Sequence, residues 1–273
     1  MIPMQTFWEE RVGEQVIQAA LPPKLRINRL EMKDVTGALA DGLRDFRRYP
    51  LFGLFFGGIY ALGGLFIVVM LSRYNQPWMI IPVAIGFPLI GPFVAVGLYE
   101  ISRRHERGEP IGWGSVLAEV FRQRERQLSW MAFAVLFIFW IWIYQVRLLL
   151  ALFLGFKIPA SLAAFATVVT TTPEGMLFLL VGTVVGGVIA TVLFSLTVIS
   201  MPLLLDHDID FVTAMLTSIR TVVENPVAML AFGLIVAATA FIALLPLFAG
   251  LFVALPILGH ATWHLYRRAI VAA

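Results

Sequence analysis

The stretch "WMAFAVLFIFWIWIYQVRLLLALFL", Trp130–Leu154, carries a single charge, Arg147, in 25 residues. At 1.5 Å per residue a helix of that length outreaches the roughly 30 Å hydrocarbon core of a bilayer. Buried helices of soluble proteins rarely run twenty apolar residues without a charge, so the stretch reads as a transmembrane helix. Five further runs read the same way: Leu51–Leu71, Trp78–Tyr99, Met176–Leu205, Val227–Phe248 and Phe252–Tyr266. The last two are separated only by "LLPLFAGLFVALP", whose Pro and Gly predict a tight turn. Without that turn, Val227–Tyr266 would be a single helix of 40 residues, about twice what a crossing needs.

Composition agrees. Of 273 residues, 60% are hydrophobic and 14% charged, against about 45–50% and about 25% in soluble domains. The absence of cysteine excludes disulfides, thiolate metal sites and a cysteine nucleophile. The first fifty residues mix acids with many Lys and Arg, unlike a signal peptide or an acid-poor transit peptide. Residues 1–34 are expected to form a cytoplasmic N-terminal segment and residues 35–273 a single membrane domain.

Lys and Arg set the orientation. Eight lie in the N-terminal region, six in the Glu100–Ser129 loop, one between Asp206 and Pro226, and two at the C-terminal end. The opposite side has only Arg73 and Lys157. The positive-inside rule then predicts both termini in the cytoplasm.

The loops carry a repeat. "ALADGLRDFRRYPL" from Ala38 aligns with "AMLTSIRTVVENPV" from Ala214, matching Ala38 to Ala214, Arg44 to Arg220 and Pro50 to Pro226. A middle copy, "VLAEVFRQRERQL" from Val116, puts Arg122 in the same register. Apolar residues recur at helical spacing in each, as at Val35, Leu39, Leu43 and Phe46. The expected fold is all-α, with six transmembrane helices as three helical hairpins, each preceded by an amphipathic interfacial helix. The units cover about 35–99, 113–205 and 211–266. Within them, "GPFVAVGLYEISRR" aligns with "LPILGHATWHLYRR", matching Pro92 to Pro256 and Tyr99 to Trp263. Tyr99, Arg103 and Arg104, like Trp263, Arg267 and Arg268, read as membrane-interface anchors. Gly53-x-x-x-Gly57 and Gly182-x-x-x-Gly186 are small-residue faces suited to helix contact.

Few polar groups could carry chemistry. Arg147 is the one charge well inside a span, and reads either as a snorkelling anchor or as an intramembrane site with Gln145, Tyr144 and Glu174. Asp206, His207 and Asp208 close the fourth span, and His260 and His264 close the sixth on the same side. Together they could supply imidazoles and carboxylates to a divalent metal, though the spacing matches no established ligand motif. The alternative is helix capping, with Asp210 as N-cap of the following helix and the histidines at the interface. Histidines four residues apart on one helix cannot ligate opposite faces of one haem iron. No phosphate loop, dinucleotide turn, zinc-protease motif or serine elbow is present. A basic N-terminus beside a membrane points to anionic lipid rather than nucleic acid.

The stretches "DGLRDFRRYPLFGLFFGGIYALGG", "IGPFVAVGLYEISRRHERGEP", "MAFAVLFIFWIWIYQVRLLL", "TTPEGMLFLLVGTVVGG" and "LGHATWHLYRR" resemble domain-of-unknown-function family 2189. The resemblance implies a bacterial integral membrane protein and assigns no functional residue. Some members are labelled as cytochrome c oxidase subunits. The expected role is non-catalytic: an accessory, assembly or scaffold protein without a cofactor, possible partners being further copies of the chain or a respiratory complex. A small transporter or channel is the alternative, and a metal-dependent membrane enzyme the third.

Overall fold

The computed structural model describes residues 25–73, 80–124, 128–155 and 162–272. Lys157, Trp78 and most of the 1–34 segment lie outside the described residues.

Strand β1 (Leu25–Ile27) leads through a short turn into helix α1 (Met32–Arg48), where the Asp34 carboxylate accepts the Glu31 N–H at 2.8 Å. Helix α1 buries Val35, Ala38, Gly42 and Asp45, a stripe at 3–4 spacing. Leu39, Leu43 and Phe46 are only half-buried, so the face expected to be the apolar contact is turned partly outward. Pro50 cannot donate to the preceding turn, and the chain breaks at Tyr49 before α2 (Pro50–Arg73). The two axes differ by 103°.

Helices α3 (Ile80–Arg107), α4 (Trp113–Arg124) and α5 (Leu128–Leu154) follow, then a short α6 (Leu162–Thr171). Helix α7 (Pro173–Thr197) starts with Thr172 accepting the Gly175 N–H and with Pro at the first helical position. Helix α8 (Ser200–Asp206) continues it, and α9 (Phe211–Glu224) is N-capped by Asp210, which accepts the Thr213 N–H at 2.9 Å. The Thr213 hydroxyl, which donates to the same carboxylate, and then that N–H hold the Asp210 carboxyl below its ordinary pKa. At the break before α10 (Pro226–Leu244), Asn225 has φ −128° and ψ 52°, against −126° and 53° at Tyr49, also followed by Pro. The turn expected in "LLPLFAGLFVALP" falls after Leu244, with Leu247 and Phe248 at positive φ. Helix α11 (Leu251–Ala269) runs into β2 (Ile270–Ala272), which pairs antiparallel with β1, Ile27 opposite Ile270.

Helix α11 is the hub. It packs against α1, α2, α3, α8 and α10, and buries residues on every side, including Trp263, Leu265 and Tyr266. Helices α5 and α7 do not touch α11 closely; they pack on one another, α5 also on α3 and α7 also on α6 and α9. Three helices among the described residues are long and apolar enough to cross a membrane: Ser129–Leu154, Pro173–Asp206 and Pro226–Leu244. A fourth is added if the bent α1–α2 pair is one span. The all-helical membrane class is met, but six crossings are not counted. Helix α11 carries two His and two Arg in its last ten residues, and α3 ends in the polar "YEISRRHER".

Candidate functional site: a buried ionic network at the helix ends

Helix periodicity puts His260 and His264 on one face of α11. Helix α1 crosses that face closely because Gly42 has no Cβ: one built there would lie 2.6 Å from Ala261 N and from Ile257 O. The approach brings the buried Asp45 within reach of His264, with Oδ2 2.8 Å from Nε2. Ser102 on α3 donates to the same oxygen at 2.6 Å and contacts His260 Nδ1 at 2.8 Å. A hydroxyl has one proton, and Ser102 gives it to Asp45, so His260 Nδ1–H donates to Ser102 Oγ. His260 is fully buried, and its Nε2 has no hydrogen-bond partner. On the outer side, His264 Nδ1 lies 3.4 Å from Glu106, which also pairs with Arg267 at 3.2 Å. Burial raises the pKa of Asp45, but the hydrogen bonds from His264 and Ser102 outweigh it and hold the carboxyl below its ordinary value.

A second set of ion pairs joins the end of α3 to α4, α8 and α11. Glu100, fully buried, receives Arg103 at 2.6 Å and Arg104 at 2.6 Å. Burial raises the Glu100 carboxyl above its ordinary pKa despite both guanidinium groups. Arg103 also donates to the Leu205 carbonyl at 2.8 Å and faces Glu119. Burial opposes ionisation of Glu119, but the hydrogen bonds from Gln123 and Arg122 prevail and lower its pKa. Asp206 accepts Tyr266 O–H at 2.9 Å and pairs with Arg107 at 2.8 Å and Arg267 at 3.3 Å.

The fourth and sixth runs therefore do end side by side, but the expected metal ligands do not converge. Asp206 faces Tyr266, Arg107 and Arg267, with His207 3.8 Å away, whereas His260 and His264 face Ser102, Asp45 and Glu106. No group of three His, Asp or Glu able to hold a metal occurs among the described residues, Asp208 included. The histidines do not face outward: His260 is fully buried and His264 nearly so, because α11 is enclosed by α1 and α3. Arg147 and Glu174 are both exposed and make no ion pair with one another among the described contacts, while Gln145 Nε2 is buried without a partner. Tyr99 and Trp263 do not face outward as anchors. They are 6% and 1% exposed and face each other, ring centroids 6.5 Å apart. Arg103, Arg104, Arg267 and Arg268 are each paired to carboxylates.

Of the openings among the described residues, two are set between three helices each. One, of about 360 Å³, lies between α1, α3 and α11, with Asp45 and His264 in its wall. The other, of about 520 Å³, is an apolar cleft between α5, α7 and α10, with Trp142, Thr191, Phe194 and Gly233 in its lining.

Residues 80–206, from the start of α3 to the end of α8, match the model of a family described as "Predicted integral membrane protein (DUF2189)". The match covers a little under half of the chain. No curated protein and no solved structure matches it. The DUF2189 region supplies Glu100, Ser102, Glu106 and Asp206, whereas Asp45, His260 and His264 come from outside it. The network thus fastens the DUF2189 helices to the flanking α1 and α11. Sequence reasoning missed Asp45, Ser102 and Glu106. The available signal was an acid in register with Val35, Ala38 and Gly42, on the small-residue face of α1.

Proposed function

We propose that this is a non-catalytic inner-membrane protein, an accessory or scaffold subunit whose α5–α7 face receives a transmembrane helix of another membrane protein. The observation that carries the reading is the lack of cover on α7: none of its spanning window is buried within the chain, and only 6% of that of α5. Gly186 and Gly187 on α7 have open space where a Cβ would stand. A face meeting only lipid gains nothing from glycine, whereas one receiving another helix gains close backbone approach. Most charged groups where α1, α3 and α11 meet, by contrast, are paired with one another.

In this reading the chain crosses six times as three parallel units, with both ends in the cytoplasm and anionic lipid at that face. Support for an even number comes from the β1–β2 ladder, which needs residues 25–27 and 270–272 on one side of the membrane. Support for the units comes from the matching backbone angles at Tyr49 and Asn225, 176 positions apart like the sequence repeat. The bias of Lys and Arg supports the cytoplasmic side.

The test is photocrosslinking in native membranes from a reactive residue at Val188, beside the open glycines. A discrete adduct with one other membrane protein, identified by mass spectrometry and absent for a probe at Leu54 on α2, is the expected result. Adducts with lipid alone would sink the reading, and adducts with a second copy would replace it by self-association.

A further inference from the structure

We propose that the cavity between α1, α3 and α11 binds a phosphate-ester anion, with Arg48 as its principal contact. The argument starts from charge pairing around the cavity. Asp41 is met by both Arg44 and Arg268. Asp45 is met by His264 and Ser102, and Glu106 by His264 and Arg267. Asp206, just beyond, is met by Arg107 and Arg267. Every carboxylate of the cluster is satisfied. The lining itself holds Arg44 and Arg48 beside Asp41, Asp45 and Glu106; Arg267 and Arg268, just outside it, help to neutralise those acids, and Arg48 is the cation of the lining that pairs with none of them.

Arg48 has no carboxylate within ion-pair distance among the described residues; its one contact is His105 Nε2 at 3.4 Å. A guanidinium only donates, so His105 accepts at Nε2. His105 is itself held by the Tyr49 hydroxyl at 3.2 Å from Nδ1, and the two rings meet edge to face at 5.6 Å. The guanidinium is thereby positioned at the cavity while most of its five donors remain free. Arg44, three-quarters exposed, stands one turn earlier on the same helix face. Two guanidinium forks on one wall suit the tetrahedral oxygens of a phosphate, which arginine binds in bidentate fashion. The volume of about 360 Å³ is within the usual range of small-ligand sites, roughly 300–1,000 Å³.

Two sources share this chemistry, the headgroup of an anionic phospholipid and free phosphate. The lipid source rests on the proposed orientation, in which α1 lies along the cytoplasmic interface; the site itself does not. Nor does it depend on any partner at α7, so this measurement and the crosslinking fail independently.

The test is native mass spectrometry of the full-length chain in detergent, titrated with phosphatidylglycerol, with diacylglycerol of the same acyl chains, and with inorganic phosphate. Phosphatidylglycerol should bind in preference to diacylglycerol, and Arg48→Ala and Arg48→Gln should each weaken it about tenfold. Arg220→Ala, an exposed cation removed on α9, should leave it unchanged. Competition by inorganic phosphate would mark the free anion as ligand, and no competition the lipid; either keeps the site. Equal binding by wild type and both Arg48 variants, with unchanged thermal midpoints, would overturn the proposal. So would the lack of any preference for phosphatidylglycerol together with no bound phosphate.

Discussion

Asp45 is the residue on which the helix-end network turns, because one of its oxygens accepts from both Ser102 and His264. Removing one partner of a buried, hydrogen-bonded ion pair costs about 3–5 kcal/mol, since the other is left without compensation. Asp45→Ala should therefore destabilise the fold, read as a lower thermal unfolding midpoint in detergent, and an unchanged midpoint would show the pair to be idle. The pH dependence has a definite sign. The folded carboxyl sits below its ordinary value, so its contribution is fully present above the unfolded pKa of about 3.9. It is lost as pH falls through the lower folded value. Stability measured from pH 6 downward should fall below about pH 4 in the wild type, and less so in Asp45→Asn.

At the scale of the elements, the two glycine motifs that look alike in the sequence behave differently. A Cβ at Gly57 would lie 2.8 Å from the Leu251 carbonyl, so the first motif seats α2 against α11. At Gly186 nothing lies within 4 Å. Gly42, outside either motif, brings the backbones of α1 and α11 together, a Cβ there meeting Ala261 N and Ile257 O at 2.6 Å. Gly42→Ala should cost about 1–3 kcal/mol by forcing the backbones apart, read as a drop in thermal midpoint. Gly186→Ala should leave that midpoint unchanged or slightly raised, alanine being the better helix former. Were both substitutions equally harmless, the close α1–α11 crossing would be wrong. The stripe on α1 shows why sequence periodicity was insufficient. Leu39, Leu43 and Phe46 are the more apolar set, yet small residues and an acid face the core, because closeness and ion pairing outweighed side-chain hydrophobicity there.

For the whole molecule, the decisive contact joins the two ends of the chain. β1 pairs with β2, and Asn225 clamps the adjoining turn by accepting the Leu30 N–H at 2.6 Å and donating to the Asn28 carbonyl at 3.1 Å. Under the proposed topology, a fluorescent reporter that matures only in the cytoplasm should light when fused after Ala273. A phosphatase active only outside should work when fused after Gly155. The reverse pattern, or a fusion set indicating an odd number of crossings, would refute that topology.

Helix class and membrane residence were legible in the sequence, because long apolar runs and the placement of Pro and Gly act locally and need no knowledge of neighbours. Breaks at Tyr49–Pro50 and Asn225–Pro226, the turn after Leu244 and the Asp210 cap follow from the same short-range rules. Which polar groups meet did not. Asp45 and His264 are 219 positions apart, and their pairing depends on how closely α1 approaches α11, on the rotation of each helix and on Gly42 between them. Those are consequences of packing, and only the tertiary structure decided that His260 and His264 join Asp45, Ser102 and Glu106 while Asp206 joins Tyr266 and its arginines.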